Sequence, residues 1–273
     1  MQKNLHMNRK PTAPIPRLHV ITASLVTAGL SLLLGACSSP HGSRSYADAA
    51  PATAKRSAAA ERPGLGTTLG HEFTDNSVST TFYRRRPSSP DAVGSFHYND
   101  TEGAKAMAEL AGDASKRSGT FRLAGGRLEV SLETWADKLP WYVAGGKIFV
   151  IGEAGRNYSI VLANPGKERV EVVVSVDGLD VRSGTPASMS RRGYVIPAKG
   201  EIEIDGMKVG GKMRRFEFGS VRDSQAARTG GESGARNVGV IGMAVYVEDE
   251  AAAKLARIKE GMTREEARAF PGS

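Results

Sequence analysis

The run Arg169-Val170-Glu171-Val172-Val173-Val174-Ser175-Val176-Asp177-Gly178-Leu179-Asp180-Val181-Arg182-Ser183 decides the fold. In an extended chain, side chains alternate between two faces. Val170, Val172, Val174 and Val176 therefore share one face, and Glu171, Val173 and Ser175 share the other. Asp177-Gly178 reads as a hairpin turn, because glycine accepts positive φ and aspartate caps its own backbone. Leu179 to Val181 is the returning strand.

Working outward, further segments carry β-branched, aromatic or alternating residues. They are Val78 to Tyr83, Leu128 to Leu132, Lys147 to Ile151, Tyr158 to Ala163, Tyr194 to Ile196, Glu201 to Ile204 and Arg215 to Phe218. Gly125-Gly126, Gly145-Gly146 and Asp205-Gly206 set them apart as turns. VGVIGMAVYV (238–247) has almost no polar character and too few residues for a bilayer span, which needs about 20. It is expected to be a central strand. Ser220 to Asn237 is polar and contains glycine, which predicts a long loop. Ala104, Met107, Ala108 and Ala111 recur at helical spacing within Glu102 to Ala111. A second helix is expected from Asp249 to Lys259, with Ala252, Leu255, Ala256 and Ile258 on one side. Gly261 should break it, and Thr263-Arg264-Glu265-Glu266 is a capping box for a last turn. The expectation is a mainly β domain over 64–248, an antiparallel β-sandwich or partly open barrel with a short helix, followed by a C-terminal helical tail over 249–273.

The amino-terminal part reads differently. Its first 36 residues hold Lys3, Arg9, Lys10 and Arg17 and no acid, so removing them takes the net charge from +8 to +4. The charge-free apolar stretch from Val20 to Leu34 follows the basic one, as in an export signal. Leu34-Gly35-Ala36-Cys37 then resembles the lipobox of bacterial lipoproteins: an aliphatic residue, two small ones, and a cysteine. That resemblance implies cleavage between Ala36 and Cys37, a diacylglycerol thioether on Cys37, and attachment to a membrane. Ser38, where an aspartate would signal inner-membrane retention, implies the outer membrane, facing the periplasm. Cys37 is the one cysteine of the chain, so no internal disulfide holds the domain. Residues 38 to about 62 are Ser, Ala, Pro and Gly with scattered charges. They cannot bury enough apolar area to offset chain entropy, so 37–63 is expected to be a lipidated cysteine and a flexible tether.

RPGLGT, PDA, YND, YSIVLANPGKERVEVVVSVDGLDV, GYVI, FEF and NVGVIGMAVY come in an order that resembles a group of uncharacterised bacterial exported proteins and lipoproteins with a β-sandwich domain. The resemblance covers roughly residues 62 to 248 and implies fold and location, with no site. Ile258 to Glu266 also looks like the Gly-Met-Thr segment of small outer-membrane lipoproteins, although no hairpin follows it and a capping-box helix alone explains the match.

Chemistry-bearing patterns are sparse. His71 and His97 lack a second histidine at metal-ligand spacing. No nucleophile elbow, P-loop or dinucleotide fingerprint occurs, and no cofactor or metal is implied. Asp177 and Asp205 precede glycines and read as turn residues, with Asp180 close to the first. Glycosidase chemistry needs two carboxylates facing one cleft. Trp135, Trp141 and Tyr142 cluster in LETWADKLPWYV, where aromatics either stack on a sugar or anchor a protein, or plug the end of the sandwich. With no basic stripe interleaved with aromatics, nucleic acid is not an expected partner. Two classes remain open: a non-catalytic envelope module binding a partner protein or cell-wall glycan, and a hydrolase whose site assembles from scattered polar residues.

Overall fold

The computed structural model describes residues 62–269 and Pro271. The expected export signal, the expected Ala36–Cys37 cleavage site and all but the end of the expected tether lie outside the described residues. In chain order the elements are β1 (Leu65–Phe73), β2 (Ala92–Asn99), α1 (Thr101–Ala111), β3 (Ser115–Arg117), β4 (Phe121–Leu123), β5 (Leu128–Glu133), β6 (Trp141–Ala144), β7 (Lys147–Ile151), β8 (Asn157–Ala163), β9 (Val170–Val176), β10 (Leu179–Asp180), β11 (Tyr194–Ile196), β12 (Glu201–Ile204), β13 (Gly206–Val209), β14 (Lys212–Ser220), α2 (Gln225–Ala235), β15 (Val240–Val247) and α3 (Glu250–Glu265).

The strands form two sheets. One runs β1-β14-β8-β5-β4, with β12 beside β8 and β13 beside β14. The other runs β10-β9-β15-β2-β7-β6-β3, with β11 beside β9. Neither closes into a barrel. The pairing of β2 with β7 is parallel; its neighbours on both sides are antiparallel. The inward faces meet in one core. Val172, Val174 and Val176 of β9 and Ile241, Met243 and Val245 of β15 contribute from the second sheet, and Val130, Leu132, Ile160, Leu162, Phe216 and Phe218 from the first. The valine alternation of 170–176 therefore points where its period indicates. Asp177 and Gly178 make the two-residue turn, each with positive φ. β15 is central, with β9 on one side and β2 on the other.

Three local expectations need correction. Val78 to Tyr83 is not a strand: it has the propensity but no ladder partner, and only Arg84 makes an isolated bridge, to Glu248. Residues 225–235, expected within a loop, form α2. Ser224 caps it by accepting the Ala227 amide at 3.1 Å, and Gly231 at φ +59° kinks it. Its buried alanines, Ala226, Ala227 and Ala235, pack on the core; tertiary burial overrides glycine's poor helix propensity. Finally, Gly261 does not break α3. A glycine inside a helix costs about 1 kcal/mol relative to alanine, and good helix formers and the Arg264–Glu260 ion pair at 2.8 Å surround it. Thr263 sits inside the helix, donating to the Lys259 carbonyl, and the true amino-terminal cap is Asp249. Among the described residues, no helix is long and apolar enough to cross a membrane.

Candidate functional site

Antiparallel pairing directs the N–H and C=O of alternate residues to the partner strand and the others to the opposite edge. An outer strand thus carries a row of unmatched polar groups that must find partners. Where those rows go distinguishes the sides of this sandwich.

One side is sealed. On β1 the outward amides of Leu65 and Thr67 donate to Asn99 Oδ1 and Asp177 Oδ2, each at 2.8 Å. Asp177 Oδ1 also accepts from the Gly239 amide at 2.9 Å and the Tyr98 hydroxyl at 2.7 Å. Thr67 Oγ1 lies 2.7 Å from both the Tyr98 and Tyr158 hydroxyls. Tyr98 gives its proton to the carboxylate, so Thr67 donates to Tyr98 and accepts from Tyr158. Thr67, Tyr98, Tyr158, Asp177 and Gly239 are buried and Asn99 is half-buried. Burial pushes the Asp177 carboxyl up to about 6, against the opposing pull of its donors, and holds both phenols well above their ordinary value. No solvent path reaches this network through the groove described below, whose lining includes none of these residues.

Two other outer strands are also capped. Asp180 on β10 donates its amide to the Thr185 carbonyl, and Lys208 on β13 donates to the Val181 carbonyl, both at 2.9 Å.

The side formed by β11 and β12 is open. The bond from the Asn164 amide to the Gly200 carbonyl, 2.9 Å, sets the phase of the β8–β12 ladder. Ile202 and Ile204 bond to β8, so the backbone groups of Glu201 and Glu203 point outward. On β11 the same alternation turns Val195 outward, since Val172 and Val170 face it on β9. Among the described residues, these outward N–H and C=O groups have no hydrogen-bond partner.

β12 owes its position to a fork in the first sheet. β8 and β14 pair only at Tyr158–Phe216 and Asn157–Glu217. Beyond that they diverge; β12 follows β8 and β13 follows β14. Asp205 sits at the apex, its carbonyl accepting from the Phe216 amide at 2.9 Å and its Oδ1 from Ser159 Oγ at 2.8 Å. Glycine is required next: a Cβ on Gly206 would lie 2.0 Å from the Arg214 carbonyl oxygen.

β11 and β12 border an open groove of about 1170 Å³. The exposed strap of residues 74–81 forms its rim, running from Phe73 to the buried Phe82. Several of its charges have partners within the chain. Arg215 stacks 5.0 Å over Phe73 and lies 3.9 Å from Asp205. Arg182 stacks 5.6 Å over Tyr194, whose hydroxyl burial pushes up to about 12. Asp75 is held below the usual carboxylate range by hydrogen bonds from Ser77, with Lys208 adding to the effect at 3.7 Å. Behind the strap, Arg84 donates to Glu171 at 2.6 Å and to the Ser190 and Arg191 carbonyls, with its guanidinium 3.6 Å over the Tyr246 ring.

The aromatic cluster expected from sequence does not form one surface. Trp141 is core, packed edge-on against Phe121 at 5.4 Å and donating to the Gly119 carbonyl at 3.2 Å. Tyr142, its neighbour on β6, faces the other way, toward α1. Trp135 is 90% exposed on the tight turn closed by the Thr134–Asp137 backbone bond. His71 is exposed. His97 stacks on Phe149 at 5.5 Å, and burial lowers its pKa, with the charge of Lys147 acting in the same direction. Among the described residues, no group of three or more His, Cys, Asp or Glu is placed to hold a metal ion.

No protein-family model matches this chain, and no curated protein or solved structure matches it either.

Proposed function

We propose that this chain is a membrane-anchored, non-catalytic binding module of the bacterial cell envelope, which takes its ligand in the groove on the open side of the sandwich. Cys37 carries the lipid in this reading, and the chain faces the periplasm from the outer membrane. The observation that carries the proposal is the asymmetry between the sides. The edges of β1, β10 and β13 are capped from within the chain, while the groove collects uncapped backbone, aromatic rings and both signs of charge. Such a surface offers stacking and hydrogen bonding to a polar polymer, an envelope protein or a cell-wall glycan.

The hydrolase alternative finds less support. A general acid needs a carboxyl raised toward neutrality, whereas Asp75 in the groove is held low. The raised carboxyl, Asp177, is locked in the sealed side.

Two experiments test the proposal. Fractionation and mass spectrometry of wild type and Cys37→Ser should show a diacylated, membrane-bound protein only for the former; identical processing removes the anchor. Asn76→Trp places an indole in the groove from an exposed position. Material retained by the full chain from solubilised envelopes and from purified cell wall should be lost in this variant. Equal retention removes the groove as the site.

A further inference from the structure

We infer that the groove receives an extended polypeptide segment, which adds as a new strand to the outer edge of β12. This inference rests on the groove being the binding site. Glu201 and Glu203 present two N–H and two C=O groups at strand spacing, all directed away from β8. A polypeptide backbone in extended form matches that row; a sugar ring does not repeat donor and acceptor at this interval. Among the other strands at this groove, β11 offers the outward groups of Val195 alone, a shorter row than that of β12. β1 is capped by Asn99 and Asp177, β13 by Val181 and β10 by Thr185. β3 has three residues, all exposed, and does not border the groove.

The side chains specify the incoming segment. Ile202 and Ile204 lie on the inward face of β12, with Ile204 buried. Residues of an added strand on that face continue the apolar layer. Glu201 and Glu203 are exposed on the other face, where opposite charges on a neighbouring strand are favourable. The partner chemistry is thus an extended segment alternating apolar and basic residues. The acidic side chains also account for the free edge not pairing indiscriminately, since charges on an edge strand repel unspecific sheet growth.

The test uses the full chain in detergent and a short synthetic peptide of alternating valine and lysine. Glu203→Pro removes an outward N–H without removing a bond to β8, a position where proline is tolerated. Glu203→Gln changes only the side chain. The peptide should protect the Glu201 and Glu203 amides from hydrogen exchange. Glu203→Pro should weaken binding about tenfold or more, and Glu203→Gln by clearly less, because the backbone bonds carry the attachment. A peptide N-methylated at alternate residues should fail to bind wild type, a readout independent of how any variant folds. Absence of peptide binding, or binding indifferent to both Glu203→Pro and N-methylation, overturns strand addition. Asn76→Trp separates the two levels. If envelope ligand is lost in that variant while the peptide results are negative, the groove stands and its ligand is not a strand. If neither responds to Asn76→Trp, the groove reading itself has failed.

Discussion

Asp177 Oδ2 accepts the Thr67 amide at 2.8 Å across 110 residues of sequence, joining the turn after β9 to the outer edge of β1. One carboxylate thereby caps a strand of the first sheet from an element of the second. With Oδ1 holding Tyr98 and Gly239, it links the two layers on the sealed side.

Removing this acceptor leaves three buried donors unmet, each costing about 1–3 kcal/mol. Asp177→Ala should lower the urea midpoint severely. Asp177→Asn should also destabilise, because its amide group confronts donors with a further donor.

The same carboxyl gives stability a pH dependence of defined sign. Its folded pKa, about 6, lies above the unfolded value of about 3.9. Between these values the folded chain holds a proton that the unfolded chain has lost. The contribution therefore increases as pH falls through 6, and levels off below about 4. Urea melts at pH 7 and pH 5 should show a more favourable change of midpoint toward pH 5 for wild type than for Asp177→Asn, a difference in which the opposing contribution of His97, whose pKa burial lowers, cancels. Asp75, held low, titrates below this window.

Arg84 and Glu171 form a buried pair, with side chains 7% and 2% exposed. Breaking such a pair from one side costs about 3–5 kcal/mol. Glu171→Gln and Arg84→Met should each show a large loss in a chemical melt, and the double variant less than their sum. Cleavage within 74–81 by a dilute protease should accelerate in the Arg84 variant, since Arg84 fastens the end of the strap.

The two tryptophans should separate cleanly. Trp135→Ala removes an exposed ring and should change stability by no more than about 0.5 kcal/mol. Trp141→Ala empties a core position and should cost about 3–5 kcal/mol. In fluorescence, a Trp141→Phe variant should emit at the solvent-exposed wavelength and be readily quenched by acrylamide.

The sandwich was legible because its strongest signals are local. The alternation of 170–176, the Asp177-Gly178 turn and the apolar run into β15 each state their own burial. Gly94 and Ser95 interrupt the apolar pattern of β2, and β13 follows its turn too closely to stand out, so neither strand announces itself in the sequence. Val78 to Tyr83 shows the converse: propensity without a neighbour makes no strand. The site was less accessible still. Asp177 was readable as a turn residue, and it is one. Nothing at positions 177 and 178 announces that its side chain reaches Thr67. The Glu-Ile-Glu-Ile alternation of 201–204 did carry a trace of the open edge, as charge on every second residue of a strand with one uncovered flank. Which flank is uncovered depends on β8 and β14 parting, a relation between distant segments.

That parting has a further consequence. Asp205 and Gly206 hold β8 and β14 separated in the chain as folded, so the opening beside β12 does not have to be created when something enters it. The energetic cost of division is met during folding, by the ladders that β12 and β13 make on their own partners. In the binding proposed above, an arriving segment would have only its own ordering and the loss of water to overcome, as at a preorganised site. Substituting Gly206 would therefore reset the resting shape of the opening beside β12.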